Sequence, residues 1–147
     1  MDERHDRHWT EILQELRVTQ TGTQILTGFL LTLPFQSRFK ELDQVQVGIY
    51  LALVIAACLT TVHALAPVSL HRALFRQGAK ERMVKLANYI LKATLVGVAV
   101  VLTGTVLLIF DVIGGLVIGI VASSAILIVT VLIWIGLPAL AHPRRSR

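Results

Sequence analysis

No Asp, Glu, Lys or Arg occurs in residues 18–37, 44–71, 93–110 or 112–143. A helix rises about 1.5 Å per residue, so about 20 apolar residues cross a hydrocarbon core about 30 Å thick. Each of the four charge-free runs reaches or nearly reaches that length. A helix on a soluble protein keeps a polar stripe for water, and the last run has none. Only Ser123, Ser124 and Thr130 interrupt it before His142. Charged residues make up 16% of the chain and hydrophobic ones 54%, with a mean hydropathy of +0.70. A soluble domain carries about a quarter charged residues. The pattern predicts an all-α, four-helix membrane bundle occupying residues 1–147 as one domain. The expected spans are 18–37, 44–66, 87–110 and 112–140.

The first run does not have the form of a cleaved signal. Its leader, "MDERHDRHWTEILQEL", mixes acids with bases, and "LTLPFQS" lacks a small-x-small cleavage site. The single Cys58 excludes a disulfide within the chain and leaves the redox compartment open. Of the 14 Lys and Arg, all but Arg38 and Lys40 fall on the side holding the N-terminus, the middle loop and the C-terminus. Lys92 belongs with them because its stem can reach back to that interface. The positive-inside rule therefore puts both termini in the cytoplasm, and the expected home is a bacterial inner membrane.

Residues 1–17 read as a helix lying along the membrane surface. Trp9, Ile12, Leu13 and Leu16 share one face, and the rest is polar. The same face would equally suit packing on the protein's own loop. Residues 67–86 form a basic cytoplasmic loop, in which Pro67 is expected to end or kink the second helix and Gly78 to turn the chain. Arg72, Arg76, Lys80, Arg82 and Lys85 suit anionic lipid headgroups, at about 1 kcal/mol each near the surface. Topology alone makes such a loop basic, so nucleic acid is not an expected partner. At the outer turn, Asp111 is expected to cap the fourth helix, with Gly114 and Gly115 allowing the reversal.

The first span is the unusual one. At about 100° per residue, Arg17, Gln20, Thr21, Gln24, Thr27, Gly28 and Leu31 fall within an arc of about 120°. Thr19, Thr23 and Thr32 lie outside it. A glutamine amide facing lipid tails costs several kcal/mol unless it is hydrogen-bonded. The face must therefore meet other helices or water. It either bonds across helices at about 0.6–2 kcal/mol per contact or lines a path for an ion or small polar solute.

Small residues recur at four-residue spacing as Gly48, Ala52 and Ala56 on the second span and as Gly115, Gly119 and Ser123 on the fourth. Gly97 and Gly104 lie seven apart on the third. Such faces let helices approach closely, and they suggest a homo-oligomer, although packing within the chain can use them too. Ionisable groups inside the spans are shallow. His63, which can titrate near neutral pH, and Lys92 lie near the cytoplasmic ends, and no Asp or Glu lies near a midplane. His5 and His8, with Asp2 and Glu11, fall short of a preorganised metal site, so no metal or cofactor is expected. No nucleophile elbow, phosphate loop, zincin helix or Cys-x-x-Cys pair is present, so the chain does not read as an enzyme.

Two segments carry a resemblance. They are "ELRVTQTGTQILTGFLLTLPFQSRF" at residues 15–39 and "IYLALVIAACLTTVHALAPVSLHRALFRQGAKERMV" at residues 49–84. With the apolar third and fourth spans, the chain resembles an uncharacterised family of small bacterial four-span membrane proteins. Some similar proteins carry a sodium:proton antiporter label. The resemblance implies the topology and leaves the activity open. Two functions are expected from the residues: transport along the face of Arg17, Gln20, Thr21, Gln24 and Thr27, or a scaffold or accessory role in a membrane complex.

Overall fold

Hydrocarbon offers a backbone no hydrogen-bond partners, so a long charge-free run must satisfy its own N–H and C=O groups, and a helix does so. A computed structural model describes the backbone of residues 2–74 and 80–136, with side chains at 14, 15, 17–67 and 86–136. Helix α1 runs Asp2–Thr32, α2 Gln44–Leu74, α3 Lys80–Gly114 and α4 Leu116–Val131. A π-helical turn, Leu132–Gly136, continues α4. Among the described residues every regular element is helical. Three stretches are long and apolar enough to cross a membrane: Gln44–Pro67, Leu86–Gly114 and Leu116–Gly136. The chain forms two compact units, Met1–Val101 and Leu102–Arg147, and α3 contributes to both.

Several boundaries differ from the sequence expectation. α1 continues unbroken past Arg17, so residues 2–32 are one helix. It ends where Pro34 forbids another turn, and two 3₁₀ turns follow at Leu33–Phe35 and Ser37–Glu41. Proline has no N–H to give the carbonyl four residues back, here that of Leu30. The buried Tyr50 hydroxyl donates to that carbonyl instead, at 3.0 Å. Phe39 packs edge-on against the Tyr50 ring, centroids 4.9 Å apart. α2 begins with a reciprocal cap. The Gln46 N–H donates to the Asp43 carboxylate at 2.8 Å, and the Asp43 N–H donates to the Gln46 amide oxygen at 3.2 Å.

Pro67 does not end α2, which runs on to Leu74. It costs the helix one hydrogen bond, a loss that membrane helices tolerate where neighbours enclose the site, and Pro67 is fully buried. Asp111 is not the cap of the fourth helix. α3 absorbs Asp111, Val112 and Ile113 because nothing in that apolar run breaks it, and the reversal falls at Gly115, whose φ is 88°. That left-handed backbone favours glycine. The Gly115 N–H closes α3 by donating to the Asp111 carbonyl at 2.8 Å.

In the first unit α1 packs on α2. α2 buries Tyr50, Leu53, Ala57, Thr60, Ala64 and Pro67, an alternation of three and four residues that keeps one seam facing its neighbours. The buried threonines are self-sufficient. Thr23 donates to the Gln20 carbonyl at 2.9 Å, Thr60 to Ala56 at 2.7 Å and Thr94 to Ile90 at 2.8 Å. Burial therefore leaves no hydroxyl of these three unsatisfied. α3 presses Gly97 against Thr60, so a Cβ there would lie 2.9 Å from the Thr60 Cγ2.

In the second unit α4 turns Gly119 and Ser123 inward. A Cβ at Gly119 would lie 2.9 Å from the Leu107 carbonyl oxygen and 3.1 Å from the Asp111 nitrogen of α3. The remaining faces are apolar and open. Only 22%, 17% and 11% of the three membrane-length windows is buried. Surface this apolar is untenable in water, and lipid or another chain must cover it.

Candidate functional site: the polar face of the first helix

α1 carries three distinct flanks, and its neighbours explain which of them is filled. Thr23, 5% exposed, and Leu30, 0% exposed, form the flank toward α2. The Thr27 hydroxyl meets the Thr61 hydroxyl of α2 at 3.2 Å on the same flank. Thr61 also donates to the Ala57 carbonyl at 2.9 Å, so its oxygen is free to accept from Thr27. The contact joins two helices and adds a polar bond in a mostly apolar seam.

The second flank is polar and open. Arg17, Thr21, Gln24, Gly28 and Leu31 are all exposed, and Gln20 is half-buried at the edge of the filled flank. Thr21 turns its hydroxyl back onto the Arg17 carbonyl at 3.0 Å. Nothing lies within 4 Å of the place a Cβ on Gly28 would take. The helical rotation of about 100° per residue sets this flank roughly 110° around α1 from the Thr23–Leu30 flank. The third flank is apolar, with Val18, Ile25 and Phe29 exposed.

The polar arc read from the sequence is therefore split. Of its five candidate residues only Thr27 is brought to another helix, with Gln20 part-covered. Arg17, Thr21 and Gln24 are left facing outward. Thr23, which the arc excluded, is one of the most buried residues of α1. The signal that would have found it is the Thr23–Thr27–Leu30 spacing, the same three–four alternation that marks the seam of α2.

His63 is exposed on α2 and Lys92 is exposed on α3. Arg72, Arg76, Lys80, Arg82 and Lys85 lie outside the residues whose side chains are described, as do His5, His8 and the Trp9 face. Among the described residues, no group of three or more His, Cys, Asp or Glu side chains is placed to hold a metal ion.

A family model matches residues 1–138, and it is that of DUF6328, described as a family of unknown function. The chain belongs to the DUF6328 family. No curated protein and no solved structure matches it. The family match takes in all of α1, so the open polar flank lies within the DUF6328 region.

Proposed function

We propose that this DUF6328 chain is a non-enzymatic, self-associating four-span protein of the bacterial inner membrane, with both termini cytoplasmic. In this reading it passes an ion or small polar solute along the polar flank of α1. The reading of α1 as a fourth span draws support from its contacts. Thr27 and Leu30 bond to Thr61 and Tyr50, both inside the apolar stretch Gln44–Pro67. The carrying observation is Gln24, an amide exposed beside a membrane-length helix. An amide at that depth needs water or a polar partner. Arg17, about two turns toward the cytoplasm, would guard the inner mouth of such a path.

A second reading is a scaffold or accessory subunit, in which the flank serves assembly alone. The three–four spacing of Arg17, Thr21, Gln24, Gly28 and Leu31 favours it, because that spacing suits a helix seam. Changing Gln20 and Gln24 together to Leu separates the two. With purified protein in liposomes, the transport reading expects ion or solute flux in the wild type, reduced at least tenfold in the double variant with assembly intact. A wild type that passes nothing under any gradient ends the transport reading. Loss of assembly in detergent by the double variant assigns the flank to the scaffold.

A further inference from the structure

We infer that the open flank of α1 is the docking surface for α1 of a second copy of this chain, the two helices side by side and pointing the same way. The inference rests on α1 crossing the membrane beside α2, and it deepens the scaffold reading by naming what the flank assembles with. Three observations carry it. Thr21, Gln24, Gly28 and Leu31 alternate at three and four residues, the spacing of a helix–helix seam, yet all four are exposed, and Arg17 one turn before them lies at the membrane interface, outside the seam. The seam of α2 shows what this spacing does when it is filled. Gly28 sits mid-seam with nothing within 4 Å of its Cβ position among the described residues, which is room for a neighbouring backbone.

The chemistry selects the occupant. A glutamine amide both donates and accepts, so Gln24 is complementary to Gln24 of another copy, and Thr21 likewise to Thr21. A lipid tail offers neither donor nor acceptor. Two copies inserted in the same sense are related by an axis along the membrane normal, which sets their α1 helices parallel and brings like residues together. The apolar flank of Val18, Ile25 and Phe29 then remains for lipid.

Glycine provides a paired test. Gly22 and Gly28 are both exposed and both have open space, but they point to different sides of α1. Gly28→Leu and Gly22→Leu should each leave the chain's own fold intact, since neither new side chain begins against a neighbour. Association of the full chain is measured in liposomes by energy transfer between labelled copies. Gly28→Leu is expected to weaken it at least tenfold and Gly22→Leu to leave it unchanged. Gln24→Leu should weaken it by about three- to thirtyfold, the range for interhelical polar contacts. Equal behaviour of the two glycine variants overturns the inference.

Cysteine scanning in a Cys58→Ser background locates the contact. Oxidation should join copies through cysteines placed at Thr21, Gln24 and Leu31, and not through those at Val18, Ile25 or Phe29. Maximal joining at the latter three overturns the proposed face. Failure of the underlying span reads out separately. If a membrane-impermeant charged maleimide labels Ile25→Cys in intact vesicles, α1 is not in lipid and the pairing falls with it. If Ile25→Cys is protected and no seam cysteine joins, the span stands and the pairing alone is wrong.

Discussion

Two small-residue faces that look alike in the sequence are used in opposite ways. On α4, Gly119 and Ser123 are buried, and α3 comes so close that backbone atoms of Leu107 and Asp111 stand where a Gly119 side chain would begin. On α2, Gly48 and Ala52 are exposed, and a Cβ at Gly48 would meet nothing within 4 Å. Both faces repeat a small residue every four positions. The difference is whether another helix of the same chain happens to cover them. A small-xxx-small repeat therefore reports that close approach is possible, and says nothing of which partner makes it.

Substitution at Gly119 gives the largest expected effect, because the obstruction is backbone. A carbonyl and an N–H of α3 cannot rotate aside as a side chain does, so Gly119→Ala must push the two helices apart. Overpacking of this kind costs about 1–3 kcal/mol, and Gly119→Val should cost more. The midpoint of denaturation in mixed micelles containing sodium dodecyl sulfate measures it. A Gly119→Ala protein as stable as the wild type would break the claim that this face is filled.

Gly97 is the intermediate case. Its neighbour is the Thr60 side chain, whose hydroxyl donates to the Ala56 carbonyl at 2.7 Å. Gly97→Ala requires Thr60 to move, and rotation costs that hydrogen bond, about 1 kcal/mol. Pairing Gly97→Ala with Thr60→Ala should recover part of the loss, since the second change removes both the bond and the obstacle. Additive losses in the double variant would mean the two residues do not meet.

These three glycines also mark what the sequence could and could not convey. The charge-free runs revealed α2, α3 and α4 because a hydrocarbon solvent excludes charge over a length fixed by helix geometry. The ends were less legible. Asp111 looked like a cap because Asp caps helices, but the apolar residues after it give no reason to stop, and the stop comes at Gly115 with its positive φ. The Asp43–Gln46 cap was missed in the sequence, although its three-residue spacing of suitable side chains carries the signal. On α1 the helical wheel showed that polar residues cluster. It could not show that Thr23 and Thr27 face α2 while Thr21 and Gln24 face away, since that depends on where α2 lies.

Gly48→Ala is expected to produce the smallest change and the opposite sign. Alanine narrows the unfolded ensemble and favours the helix, by up to about 1 kcal/mol over glycine at an unobstructed interior position. Gly48 lies inside α2 with no neighbour near its missing side chain, so the gain should appear without an opposing clash. The denaturation midpoint of the isolated chain should therefore rise slightly or stay unchanged. Association between copies provides the second readout. Unchanged association places the Gly48–Ala52–Ala56 face against lipid and leaves α1 as the contact between copies. Weakened association at an undiminished midpoint would give α2 a docking partner outside the chain, and the contrast with α4 would become one between inner and outer interfaces.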